Sequence, residues 1–427
     1  MKTNDYDRRS FLRGSITGLS ACAAAPLMLT GRSTAKGYTR AEAEGFFQGG
    51  ESLANLTKHD LLTPALVLDL DQFEANLSRM ASHARKAGVN LRPHAKTHKC
   101  PEIARRQVEA GAVGQCVANI GEAEALGEAG IPGILVTSET VGKRKIERFM
   151  KLAARHRDIA VVADHAENVG QLGQAAETFK QQVKVLVDVD VGHRRTGVAP
   201  GTDALELAQA IVRTRGLKFG GIHAYAGHAA HVVGFEQRKA VSTEAMTMAL
   251  ETEHLLERNG IEVPLLTGGS TGTYNIDSQM KGISELQVGS YVFMDLDYRR
   301  IGGQDGERYE DFGCALTVLT TVISRPEKNR AVTEGGYKAF SSDRPFTPEC
   351  KTVRGVIFSW GGDEHGKLDL TNAEREIRLG DRLEFIIPHC DPNVNLYDRL
   401  YAVRGETVEA VWLIAARGYA GTGRASG

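Results

Sequence analysis

The run Arg92-Pro93-His94-Ala95-Lys96-Thr97-His98-Lys99 places one lysine among several basic side chains. A lysine that attacks an aldehyde to form a Schiff base must be neutral, so its site must lower its pKa. Arg92, Lys99 and His94 or His98 would favour the neutral amine at Lys96. On spacing alone the run reads equally as an ordinary basic loop between a strand and a helix.

Four other segments carry residue types suited to chemistry. Thr267-Gly268-Gly269-Ser270-Thr271-Gly272-Thr273 follows an apolar stretch. Its glycines let the backbone approach an anion closely, and its hydroxyls add donors, as in a phosphate cradle. A plain structural turn is the bland alternative. Asp190-Val191-Gly192-His193-Arg194-Arg195-Thr196-Gly197 follows another apolar stretch, and an arginine there can pair with a carboxylate or phenolate. The segment His223-Ala224-Tyr225-Ala226-Gly227-His228-Ala229-Ala230-His231 offers three histidines and a tyrosine for acid–base work or cofactor contact.

Pro388-His389-Cys390-Asp391-Pro392 ends a further apolar stretch. In extended chain, residues two apart point to one side, so His389 and Asp391 can share an ion while Cys390 points away. Imidazole plus carboxylate, completed by water, suits Mn²⁺ or Mg²⁺ better than structural zinc, with Zn²⁺ the alternative. Two ligands by themselves make a weak site.

The elements that must position these residues alternate regularly. Strand candidates at 65–70, 89–93, 115–118, 133–137, 159–163, 183–189, 219–225 and 263–267 are separated by helical spacing. Roughly eight units in about 230 residues is the rhythm of a parallel (β/α)8 barrel, a TIM-type α/β fold, in preference to an open doubly wound sheet. Beyond about residue 312, strands at 316–324, 353–359, 382–387 and 408–415 follow without a long helix, which predicts a smaller C-terminal β domain. We divide the chain into a signal segment (1–36), a lead-in (37–60), a barrel (61–305) and a β domain carrying the metal pair (306–427).

The N-terminus reads Arg8-Arg9-Ser10-Phe11-Leu12, then an uncharged stretch from Ser15 to Leu29. This has the form of a twin-arginine export signal and predicts a periplasmic protein. Lipoprotein processing at Cys22 ranks second. The stretch is too short and too rich in small residues to span a bilayer. With a net charge of -1 and no basic run, nothing points to nucleic acid as a partner. The other five of six cysteines show no CxxC spacing and read as free thiols.

Together the motifs resemble the D-threonine aldolase and D-serine dehydratase family, within the alanine-racemase-like, fold type III pyridoxal-phosphate enzymes. The resemblance runs from Thr63-Pro64-Ala65 to beyond Asn395-Leu396-Tyr397-Asp398. It implies Lys96 as the lysine that carries pyridoxal 5'-phosphate, Arg195 near the cofactor's phenolic oxygen, and Gly268, Gly269, Ser270 and Thr271 at the phosphate. Tyr225 would contact the cofactor, and Gln287-Val288-Gly289-Ser290-Tyr291 resembles another family stretch near the phosphate, with Gly289, Ser290 and Tyr291 as its cofactor contacts. The dehydratase branch resembles His-x-Cys at the metal and the aldolase branch His-x-Asp, so Asp391 after His389 implies an aldolase with His231 as its base. The expected activity is cleavage of a D-threonine-like D-β-hydroxy amino acid to glycine and an aldehyde, by a homodimer. The alternative is a dehydratase of D-serine or D-3-hydroxyaspartate, giving a 2-oxo acid and ammonia.

Overall fold

The computed structural model describes residues 56–418, so the twin-arginine motif and Cys22 lie outside the described residues. Strand β1 (Ala65–Asp69) runs directly into helix α1 (Leu70–Ala87). Asp69 caps that helix, its carboxylate accepting the Gln72 N–H at 3.1 Å, and Gly88 ends it at φ 72°. Phe73, Leu77, Met80 and Ala84 recur at helical spacing and are buried.

The barrel follows in chain order. It comprises β2 (Asn90–Leu91), α2 (Pro101–Glu109), β3 (Gln115–Val117), α3 (Ile120–Glu128), β4 (Ile134–Val136), α4 (Lys143–Arg155), β5 (Ala160–Ala163) and α5 (Ala166–Thr178). It continues with β6 (Val183–Asp188), α6 (Thr202–Arg213), β7 (Leu217–Ala224), α7 (Phe235–Arg258), β8 (Leu266–Gly268), α8 (Tyr274–Asp277) and β9 (Glu285–Leu286). The eight strands pair in parallel in the order β2-β9-β8-β7-β6-β5-β4-β3. A bridge between His94 and Cys116 joins the two ends, and the Cys116 N–H donates to Pro93 O at 2.8 Å. The expected parallel barrel is therefore present, with its helices outside.

One strand assignment is corrected. The sequence rhythm counts 65–70 as the first barrel strand, but β1 pairs antiparallel with β10 (Leu316–Glu327) and parallel with β16 (Arg399–Arg404). A strand buried along its length looks alike in either sheet, because its apolar run carries no partner information. The eighth barrel strand is β9, two residues long. Its Glu285 hides it from an apolar scan, and that carboxylate pairs at 2.9 Å with Arg92, which follows the neighbouring strand β2.

The second sheet has nine strands, with β1 inside it. After a short helix α9 (Leu296–Arg299) come β10, β11 (Arg330–Thr333), β12 (Glu349–Cys350), β13 (Ile357–Trp360), β14 (Gly366–Asp369) and β15 (Arg382–Ile386). Helix α10 (Cys390–Val394), β16 and β17 (Thr407–Leu413) complete it. Among the described residues, no helix is long and apolar enough to cross a membrane.

Gly268 on β8 shows how tightly the barrel wall is packed. A Cβ there would fall 2.2 Å from Ala224 O on β7. Gly268→Ala must push the two strands apart, and urea unfolding should register a loss of about 1–3 kcal/mol. An unchanged midpoint would reject this reading of the wall.

Candidate active site

Side chains singled out from sequence gather at the C-terminal ends of the barrel strands, where barrel enzymes carry their chemistry. Lys96 lies in a single turn after β2, Arg195 after β6, Tyr225 after β7, Gly268–Thr271 at and after β8, and Gly289–Tyr291 after β9. A cavity of about 490 Å³ opens beside Lys96, lined also by Asn119, Ser138, Glu139, Lys145 and Asp391.

The surroundings of Lys96 differ from the sequence expectation. Arg92 is neutralised by Glu285, and Lys99 is hydrogen-bonded to Glu122. Lys96 itself donates to Asp391. Burial works against its charge, but the Asp391 carboxylate and Tyr225 outweigh it, and the Lys96 pKa is raised rather than lowered. The expectation counted the cations along the run and could not see the carboxylates that tertiary contacts bring to them. His94 stays neutral, because burial and then the charge of Lys96 push it well below its usual value. Its Nδ1 accepts the Lys96 N–H at 3.3 Å and its Nε2 lies 2.9 Å from Thr137 Oγ1, which fixes the turn.

Arg195 places its guanidinium 5.2 Å from the centre of the Tyr225 ring. The His193 ring meets Tyr225 edge-on at 5.9 Å and stacks on His228 at 6.0 Å. Below them, His223 is buried, with Nδ1 at 2.5 Å from Asp188 Oδ1 and Nε2 at 3.2 Å from Gln287 Oε1. Burial, with Asp188 and Asp164 nearby, lifts the Glu139 carboxyl to about 7. Burial opposes ionisation of Asp188 too, but His223 and Thr196 hold it below its usual range. Asp188 and Glu139 were not singled out from sequence, and Gln287 stood only within the stretch that the resemblance sets near the phosphate. An aspartate closing the apolar run Val185–Val187 of strand β6 was the one available signal.

The proposed phosphate loops are drawn together. Gly269 adopts φ +73°, open to glycine at little cost. The Tyr291 N–H donates to Thr271 Oγ1 at 3.1 Å, which ties the β8 and β9 loops, and His94 N–H donates to Val288 O at 3.0 Å. A Cβ on Gly289 would lie 2.6 Å from Thr97 Oγ1, so the Lys96 turn packs directly on this loop. Ser270 Oγ is engaged with Thr273 Oγ1 at 3.0 Å. The Tyr291 hydroxyl points into the core, accepting from Gln107 at 3.1 Å, so only its backbone meets the loops. A lysine beside a cavity, under converging glycine-rich loops that leave no room for side chains, fits a phosphorylated aldehyde.

The metal pair is arranged otherwise than an extended segment would have it. His389 is extended at φ -146°, but Asp391 lies in the first turn of α10, so alternation along a strand does not apply. The segment is docked on α9 by backbone bonds from Leu296 to Ile387 O and Asp297 to Pro388 O, both 3.1 Å. Asp295 adds an acceptor for the Cys390 N–H at 2.8 Å. Asp391 thereby reaches Lys96 of its own chain, and Lys96 and His389 hold its carboxyl far below the usual range despite burial. His389 Nδ1 lies 2.7 Å from Asp343 Oδ2, the carboxylate–imidazole pairing that leaves Nε2 as the coordinating nitrogen. Among the described residues, no group of three or more His, Cys, Asp or Glu is placed to share an ion. The donor types at His389 and Asp391, one imidazole and one carboxylate, suit a hydrated divalent ion better than a closed structural zinc site.

His231 comes into the same region. Its ring lies 4.4 Å from that of Tyr298 and its Nδ1 is 3.2 Å from Asp297 Oδ2. Burial lowers its pKa, against the pull of Asp297 and Asp295. Asp295, Asp297, Asp343 and Arg344 were missed from sequence. The two aspartates after Phe293, inside an apolar run, were a usable signal, and Asp343 and Arg344 gave none.

Fold and site together define a pyridoxal-phosphate enzyme of the alanine-racemase-like class. Residues 68–297 match the family model "Alanine racemase, N-terminal domain", and residues 315–403 match "Putative serine dehydratase domain". The chain belongs to this fold type III family. It is 39% identical to a D-threonine aldolase of an Arthrobacter species over 87% of this chain and 96% of that one. It is 35% identical to a 3-hydroxy-D-aspartate aldolase of Paracoccus denitrificans, over 86% and 95%. The crystal structure of a D-threonine aldolase from Filomicrobium marinum superposes with a TM-score of 0.81 at 37% identity, over 85% of this chain and 98% of that one. A mutant of D-threo-3-hydroxyaspartate dehydratase, solved "in the metal-free form", matches with a TM-score of 0.76 at 28% identity, over 85% and 100%.

Proposed function

We propose that the protein is a pyridoxal-phosphate- and divalent-metal-dependent aldolase that cleaves a D-threonine-like D-β-hydroxy amino acid to glycine and an aldehyde. The observation that carries this reading is Asp391, an ionised carboxylate beside Lys96 at the position where the dehydratase branch resembles cysteine. When bound, the cofactor supplies an electron sink for the pair released at Cα, and the ion supplies a Lewis acid for the β-oxygen.

The chain's own residues do the rest. Lys96 Nζ holds the cofactor, Arg195 and Tyr225 lie against it, and Gly268–Thr271 with Gly289 and Ser290 hold its phosphate. His389 and Asp391 hold the ion, with Mn²⁺ or Mg²⁺ suited to the imidazole–carboxylate pair. Asp297 beside His231 Nδ1 favours a proton there and leaves Nε2 to take the substrate's hydroxyl proton. As that proton leaves, the C–O bond becomes a carbonyl, the Cα–Cβ bond breaks and Cα is protonated to give glycine. Arg344, the guanidinium in this region, is taken up by Asp297 and Asp343, which favours a neutral β-substituent over a second carboxylate.

Product analysis on D-threonine tests the reading. Glycine plus acetaldehyde supports it, and a 2-oxo acid plus ammonia assigns a dehydratase instead. Within an aldolase, His231→Asn should lower kcat by about 10²–10⁴-fold with the cofactor still bound. Wild-type turnover in that variant would remove His231 from the role.

We further propose export to the periplasm, supported by Arg8-Arg9 before Phe11-Leu12 and the uncharged stretch that follows. Replacing both arginines with lysine should leave the enzyme in the cytoplasmic fraction. Unchanged export on fractionation would reject the signal.

A further inference from the structure

The two imidazoles assigned to base and ion sit in separate segments, His231 after β7 and His389 ahead of α10. Each ring has a carboxylate near its Nδ1, hydrogen-bonded at His389 and in ion-pair contact without a hydrogen bond at His231. Asp297 Oδ2 on α9 is 3.2 Å from His231, and Asp343 Oδ2, on the loop between β11 and β12, is 2.7 Å from His389. Arg344 touches both of these same oxygens, with Nε 2.8 Å from Asp297 Oδ2 and Nη1 3.1 Å from Asp343 Oδ2.

We propose that Arg344 is a positioning residue, which sets the placement of His231 relative to His389 by clamping the carboxylate behind each ring. The inference rests on the roles proposed above for the two histidines. The order is unbroken: His231, Asp297, Arg344, Asp343, His389.

Three physical points support it. First, the hydrogen-bonded Asp343 fixes the orientation and tautomer of His389, and the charge of Asp297 acts on His231 at ion-pair distance, so whatever orients these carboxylates acts on the rings. Second, Asp297 and Asp343 would repel across the small gap that Arg344 spans, and buried Asp295 adds to the local negative charge. One guanidinium both neutralises the pair and dictates its geometry. Third, the planar fork of arginine presents donors in two fixed directions, whereas a lysine ammonium is a compact point charge. Arg344 also ties the β-domain loop to α9, so it couples the part of the chain that carries the ion to the part that carries the base.

The test uses cofactor-loaded enzyme carrying Arg344→Ala, Arg344→Lys, Asp297→Asn or Arg344→Ala with Asp297→Asn. Three quantities are read: Mn²⁺ affinity by calorimetric titration of chelator-stripped protein, kcat and KM for D-threonine, and visible absorption of the bound cofactor. Arg344→Ala should weaken Mn²⁺ binding about 10–100-fold, as loss of support behind a ligand does. It should lower kcat more than about tenfold with KM within about threefold, because placement of base and ion matters in the transition state. Cofactor absorption should be unchanged. Arg344→Lys should recover part of both losses, and the double variant should lose less than the product of the single losses.

Mn²⁺ affinity and kcat within about twofold of wild type in Arg344→Ala would overturn the inference. So would strictly multiplicative losses in the double variant, or loss of the bound cofactor without recovery in Arg344→Lys, which would mark a general structural role. Wild-type enzyme that binds no Mn²⁺ or forms no glycine removes the functional reading before any variant is compared, and this inference falls with it.

Discussion

Lys96→Ala yields a folded protein that has lost visible cofactor absorption, with turnover down by at least about a thousandfold. Borohydride reduction followed by peptide mapping should fix the cofactor to Lys96 in the wild type and to no residue in the variant. The effect is large because no neighbour can take over. Lys99 is held by Glu122, and Arg92 is held by Glu285 and cannot form the bond. Removing Lys96 leaves Asp391 without its cation, so that carboxyl should rise toward its ordinary range. Cofactor trapped at the same site in Lys96→Ala would refute the assignment.

Stripping divalent ions with a chelator is expected to lower turnover by about a hundredfold or more while leaving cofactor absorption in place. Two protein ligands imply a labile, water-rich ion, and Mn²⁺ should restore activity. The separation of the two losses follows from topology. Lys96 and the phosphate loops follow β2, β8 and β9 of the barrel, whereas His389 and Asp391 come after β15, His389 ahead of α10 and Asp391 in its first turn. Asp391→Ala should reproduce the stripped enzyme, since His389 alone binds an ion weakly. Asp391→Cys should shift preference toward Zn²⁺, because a thiolate is the softer ligand. Full turnover after chelation would exclude the ion from the reaction and favour a metal-free racemase.

The periodicity of the chain made much of the fold legible. Alternating apolar runs and helical spacing gave the barrel, because side chains on one helix face or one strand must be buried together whatever they are buried against. That logic fails for β1 and β9. β1 is an apolar run up to its closing Asp69, so its sequence fits either sheet, and β9 is a two-residue strand with a buried glutamate. Strand pairing is a property of two segments, and one segment read alone does not contain it.

The site divides along the same line. Residue type and spacing nominated Lys96, the glycine-rich loops and the His389–Asp391 pair as candidates, because Schiff-base chemistry, phosphate approach and ion binding each demand particular groups on a short stretch of chain, and the family resemblance chose among the alternatives. Tertiary structure alone decided what surrounds them. Glu285 and Glu122 cancel the cations on either side of Lys96, and Asp391 arrives from the other end of the chain to raise its pKa. Asp297, from helix α9, and Asp343 and Arg344, from the loop between β11 and β12, meet between His231 and His389. Charge interactions depend on distance in space, and a sequence records only distance along the chain.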